Sequence, residues 1–69
     1  MKTHNPLKYI GKKIRNEKKI TVRGLAEMSV VAPSTISKWE NGSAVPDLAV
    51  LELVANAMEV KPFDLVEFV

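Results

Sequence analysis

Four prolines set the longest helix this chain can build. Proline lacks a backbone N–H, and its ring clashes with the carbonyl four residues back. It therefore opens a helix and does not continue one. Pro6, Pro33, Pro46 and Pro62 each stand where an apolar pattern of helical period begins. Behind Asn5 as N-cap and Pro6 at the first helical position, Leu7, Ile10 and Ile14 recur at helical spacing, while Lys8, Lys12, Lys13 and Arg15 face outward. This first helix should fade near Lys18 or Lys19. Thr21 caps a short second helix that carries Leu25, Ala26 and Met28 inward, and Val30-Val31-Ala32 makes the turn. Pro33 opens a third helix with Ile36 and Trp39 on its buried face. Asn41-Gly42 ends it, since both residue types tolerate the left-handed backbone of a helix stop. Pro46-Asp47 starts a fourth helix, with Leu48, Leu51, Val54, Ala55 and Met58 as its apolar stripe. Lys61-Pro62 starts a fifth helix or turn in which Phe63 or Leu65 and Val66 close the core. Glu67-Phe68-Val69 reads as a short strand or a docking tail. The expected fold is all-α, five short helices around one core.

The length of 69 residues holds one domain, close to the size where a single core supplies only about 3–5 kcal/mol. With no cysteine there is no disulfide framework and no thiolate metal site, which is compatible with a reducing cytosol. No apolar run approaches the ~18 residues of a membrane span, and the first residues lack the apolar stretch of a signal peptide. A soluble cytoplasmic protein is expected. The net charge is +2, but residues 1–23 carry eight Lys or Arg against Glu17, a net +7, and residues 24–69 carry Lys38 and Lys61 against seven acids, a net −5. Such asymmetry suits one face to a polyanion, although a solvated basic helix would look the same.

Residues 22–41 read as two helices crossing steeply through a tight turn. Ala26 lies at the closest approach, where only a small side chain lets the backbones meet. With Ile36 and Trp39 buried, Ser34, Thr35, Ser37 and Lys38 project away from the core. A short polar helix with an exposed N-terminus is the shape that enters a DNA major groove, and its dipole favours approach to phosphates.

The run Ser34-Thr35-Ile36-Ser37-Lys38-Trp39-Glu40-Asn41-Gly42 resembles the signature of the Cro/C1-type helix-turn-helix family, also called the xenobiotic-response-element family. Leu25-Ala26-Glu27 upstream and Pro46, Leu51 and Ala55 downstream fit the same pattern without gaps, and the resemblance spans roughly residues 7–66. It implies a compact, lambda-repressor-like five-helix domain, a transcription regulator and commonly a repressor, acting as a dimer on an inverted repeat of double-stranded DNA. By matching position, Pro33, Ser34 and Thr35 would read base edges, with Ser37 on the same outward face and Lys38 one turn later. Thr21, Val22 and Arg23 would meet a phosphate. Asn41, Gly42 and Ser43 would meet the opposite backbone, and Arg15 and Glu40 would form a structural ion pair. Several positions depart from the family pattern. Val22 replaces a usual glutamine and cannot hydrogen-bond a phosphate. Val30 replaces the glycine of the bend, so the turn either changes geometry or carries a strain of ~1–3 kcal/mol. Ala32 replaces a capping Ser or Thr, a loss of about 0.5–2 kcal/mol. Pro33 offers bases no side-chain donor, and Lys19 stands for the glycine before the second helix. Lys38, toward guanine, is then the strongest base reader. Arg23 with some of Lys12, Lys13, Lys18 and Lys19 should supply much of the affinity, as a salt-sensitive term.

Other readings compete. A protein-interaction module on the same fold, such as an antitoxin or anti-repressor, would explain the changes at Val22, Val30, Ala32 and Pro33. It would also allow a regulatory protein partner. A homodimer would use Phe63, Leu65, Val66, Phe68 and Val69, where apolar residues outnumber what one small core hides. The basic first helix could lie on an anionic membrane, but its apolar stripe is only as wide as core packing needs. His4 alone makes no metal site. Ser34, Thr35 and Ser37 have no activating base beside them, so no catalysis and no cofactor is expected.

Overall fold

The computed structural model describes residues 7–68. Strand β1 (Leu7–Tyr9) is followed by helices α1 (Gly11–Glu17), α2 (Val22–Ser29), α3 (Pro33–Glu40) and α4 (Leu48–Met58). A single 3-10 turn (Pro62–Leu65) and strand β2 (Val66–Phe68) complete the order. The strands pair antiparallel, Leu7 opposite Phe68, Lys8 opposite Glu67 and Tyr9 opposite Val66. A backbone bond from Ile10 N–H to Leu65 O (2.7 Å) extends the clasp. The fold is therefore mostly helical, but among the described residues it has four α-helices and a two-stranded sheet, not the five helices expected.

The expected first helix is where the structure departs most. Leu7–Tyr9 is a strand, and α1 begins only at Gly11. The proposed cap residues Asn5 and Pro6 lie outside the described residues, as do His4 and Val69. Leu7 and Ile10 have the right spacing for a helix, but β2 offers Leu7–Tyr9 a ladder that no local pattern announces. Tyr9 turns inward and meets Trp39 at 5.5 Å between ring centroids, tilted by 52°. Its ring fills the space a Cβ on Gly11 would need, so glycine there is a matter of close approach. The fifth helix is likewise only one turn: Asp64 N–H donates to Lys61 O (3.0 Å), and Asp64 Oδ2 accepts from Lys61 N–H (3.1 Å).

The core consists of Tyr9, Leu25, Ala26, Ile36, Trp39, Leu51, Val54, Ala55, Met58 and Leu65. Leu65 closes it, and Phe63 points to solvent. Met28 and Leu48, both expected inward, are exposed. Each sits a step round its helix from the buried row, at a spacing too close to the apolar period to separate by sequence. Caps behave as their side chains allow: Thr21 Oγ1 accepts from Gly24 N–H (2.9 Å), and Asp47 Oδ1 accepts from Val50 N–H (3.0 Å). Among the described residues no helix is long and apolar enough to cross a membrane.

Candidate nucleic-acid interface

Helix α3 is built by two buried side chains. Successive residues turn about 100° round a helix, so Ile36 and Trp39 share one face and Ser34, Ser37, Lys38 and Asn41 the opposite one. Those four are exposed, as are Pro33 and Ala32, while Thr35 at the flank is half-buried and less available than expected. Pro33 and Ser37 form one outer row, and Ser34 and Lys38 the next.

Helix α2 sets the angle of α3. Ala26 is buried, and its carbonyl accepts from Val31 N–H (3.2 Å) beyond the turn. Ser29, which sequence reasoning does not single out, is buried and donates its hydroxyl to Leu25 O at 2.7 Å. Its position four residues after Leu25, on the inner face, is the signal that points to it. The turn keeps left-handed geometry without glycine: Val30 has φ 60° and ψ 30°, and its side chain is 89% exposed. Lys19 before α2 is also left-handed, with φ 59°. Both replacements of a family glycine therefore hold the conformation glycine would take, and Val30 bears the strain as a β-branched residue. Ala32 sits in extended backbone at the cap of α3 and makes no side-chain cap bond.

At the start of α2, Thr21 and Arg23 are exposed, whereas Val22 is half-buried and packs against the core. The side chain of Val22 thus belongs partly to the interior and leaves only part of itself at the surface. After α3, Gly42 has φ 86°, and a Cβ at this position would meet nothing within 4 Å, so the need for glycine is purely conformational. Asn41 Oδ1 accepts from Ser43 N–H (2.9 Å) and from the Ser43 hydroxyl (2.6 Å), and Ser43 N–H also reaches Lys38 O (2.9 Å). Asn41 and Ser43 therefore hold the turn in shape while remaining exposed.

Arg15 is not an outward cation. Its Nε donates to Glu40 Oε2 (2.7 Å) and its Nη2 to Glu40 Oε1 (3.0 Å), with both side chains about nine-tenths buried. Nη1 donates to Ile20 O at 2.8 Å. This bidentate pair ties α1 to the C-terminal end of α3, where a lone glutamate would oppose the helix dipole. Hydrogen bonding to Glu40 raises the Arg15 pKa above its ordinary value, against the effect of burial. The exposed cations nearest in sequence to the helix pair are Lys12, Lys13, Lys18, Lys19, Arg23 and Lys38. Tyr9 is also absent from the sequence-based core. Among the described residues its hydroxyl is the buried side-chain polar atom without a hydrogen bond. Burial, then the charge of Glu40, pushes its pKa up to about 12.

Comparison with known proteins agrees with this geometry. A helix-turn-helix family model matches residues 12–65. The crystal structure of a candidate DNA-binding protein from Bacteroides fragilis superposes with a TM-score of 0.80 at 33% identity, covering 88% of this chain and 98% of that one. None of the curated proteins matches the sequence significantly. The chain belongs to the Cro/C1-type helix-turn-helix family.

Proposed function

We propose that this protein is a sequence-specific, double-stranded DNA-binding regulator, acting in the cytoplasm as a repressor. Helix α3, residues 33–40, enters the major groove of an inverted-repeat operator. The observation that carries this reading is the division of α3: Ile36 and Trp39 are buried, and Ser34, Ser37 and Lys38 are exposed together. The name of the Bacteroides fragilis structure points the same way. Thr21 and Arg23 would meet phosphate on one side of the groove, and Asn41, Gly42 and Ser43 on the other. Phosphate contacts from the exposed lysines make binding fall steeply with salt.

The protein is proposed to bind as a dimer, its two reading helices about 34 Å apart on successive turns of DNA. Of the C-terminal residues expected at that interface, Leu65 is fully buried in the chain's own core and is unavailable to a partner. Phe63 (74% exposed) and Phe68 (78% exposed) remain, beside half-buried Val66. Selection from a random duplex library at near-physiological salt tests the function. An enriched inverted repeat with half-sites one turn apart is expected; weak, salt-sensitive binding to every duplex would replace this reading with a protein-interaction module.

A further inference from the structure

The cap and the first residue of α3 present no hydrogen-bonding side chain, and the first exposed one along the helix is the Ser34 hydroxyl. Ala32 and Pro33 are exposed and apolar, and Val30 beside them stands nearly free of the protein at 89% exposure. A shallow depression runs along α2 and across the turn to the start of α3. These three residues line it together with Ala26, Val31, Arg23 and Glu27. Five of the seven lining residues are apolar, and Arg23 and Glu27 are the charged ones. The Glu27 charge in this lining opposes a phosphate close to it, while Arg23 favours one at its own end of the depression. A neutral, apolar group carried close to the sugar–phosphate chain is what such a surface accepts. In a major groove that group is the C5-methyl of thymine, the one methyl group that the four unmodified bases present there.

We propose that the apolar step formed by Val30, Ala32 and Pro33 reads thymine through its methyl group, so that part of this protein's base recognition is apolar. The inference rests on the DNA-binding function proposed above. It adds thymine, next to the base read by Lys38, as a required feature of the half-site.

The test removes the methyl and leaves the protein alone. Each thymine of the enriched half-site is replaced singly by deoxyuridine, and binding is titrated by fluorescence anisotropy at fixed salt. One or two adjacent replacements should weaken binding roughly fourfold per methyl. In Pro33→Gln the same positions should lose most of that sensitivity and shift preference toward adenine, which a glutamine amide can pair. Equal affinity for thymine and deoxyuridine at every position would overturn methyl reading while leaving DNA binding intact. Tighter binding to 5-methylcytosine than to thymine at the sensitive position would overturn thymine as the source of the methyl. Failure of any sequence to enrich in the selection would remove both the function and this inference.

Discussion

The two ends of α3 are held in opposite ways. At its C-terminal end Trp39 is buried against Tyr9, Glu40 is gripped by Arg15, and the Asn41–Ser43 turn is closed by side-chain and backbone bonds. At its N-terminal end the cap is an alanine, the preceding turn holds a valine in left-handed backbone, and the side chains face solvent. The role proposed for α3 needs a helix aimed from one end and left open at the other. The difference shows that this fold concentrates its orienting contacts away from the surface that would touch bases. Change at the open end should therefore alter the proposed recognition surface while shifting stability by only about 1 kcal/mol, whereas change at the anchored end should cost several times that.

Substitutions at the anchored end should have the largest effects. Trp39→Ala should remove about 3–5 kcal/mol, enough to unfold a domain of this size. Urea denaturation would show it as a lost or strongly shifted transition, and a loss below about 1 kcal/mol would mean that Trp39 anchors nothing. Arg15→Met leaves Glu40 buried without its partner and should cost about 3 kcal/mol. A cost of a few tenths would place the pair with ordinary exposed ion pairs.

The open end should respond in the other direction. Val30→Gly relieves ~1–3 kcal/mol of strain and adds ~0.5–1 kcal/mol of chain freedom in the unfolded state. A net gain of about 1 kcal/mol in stability is the expected result. A fall in melting temperature would show that the valine side chain makes contacts worth more than its strain. Ala32→Ser supplies the missing cap and should add about 0.5–1 kcal/mol, and an unchanged transition would mean that water already satisfies the first turn.

The smallest effect under ordinary conditions lies with Tyr9. Its folded-state pKa of about 12 exceeds the ordinary 10.0, so the fold favours the neutral phenol. The associated stability is complete below pH 10 and is lost as pH rises from about 10 through about 12. Tyr9 is the only tyrosine, so the tyrosinate absorbance of the native protein reports it directly. Titration near 10 would show that the ring reaches water.

Most of the helical frame was legible. The caps Thr21 and Asp47, Pro33 at the start of α3 and the Ile36–Trp39 spacing are local signals, and the elements follow them. The contact between Arg15 and Glu40 joins residues 25 apart, and no spacing rule predicts it; the family resemblance alone suggested the pair. β1 was illegible for a related reason. Three residues are too few to reveal a period of two, and their partner lies at the other end of the described chain. Met28 and Leu48 show that apolar spacing fixes a helix more firmly than it fixes which residues of that helix are covered. On the exposed face of α3, Pro33, Ser34, Ser37 and Lys38 were placeable from the burial of Ile36 and Trp39. The partial burial of Thr35 and Val22 depended on packing that sequence does not encode locally.

The pairing of β1 with β2 also has a temporal side. During translation, α1 to α4 emerge before Val66–Phe68, so Leu7–Tyr9 must wait for that segment before its ladder can form. Closing so long a loop is slow compared with helix formation. Until Val66–Phe68 has been made, Tyr9 has no ladder to hold it over Trp39.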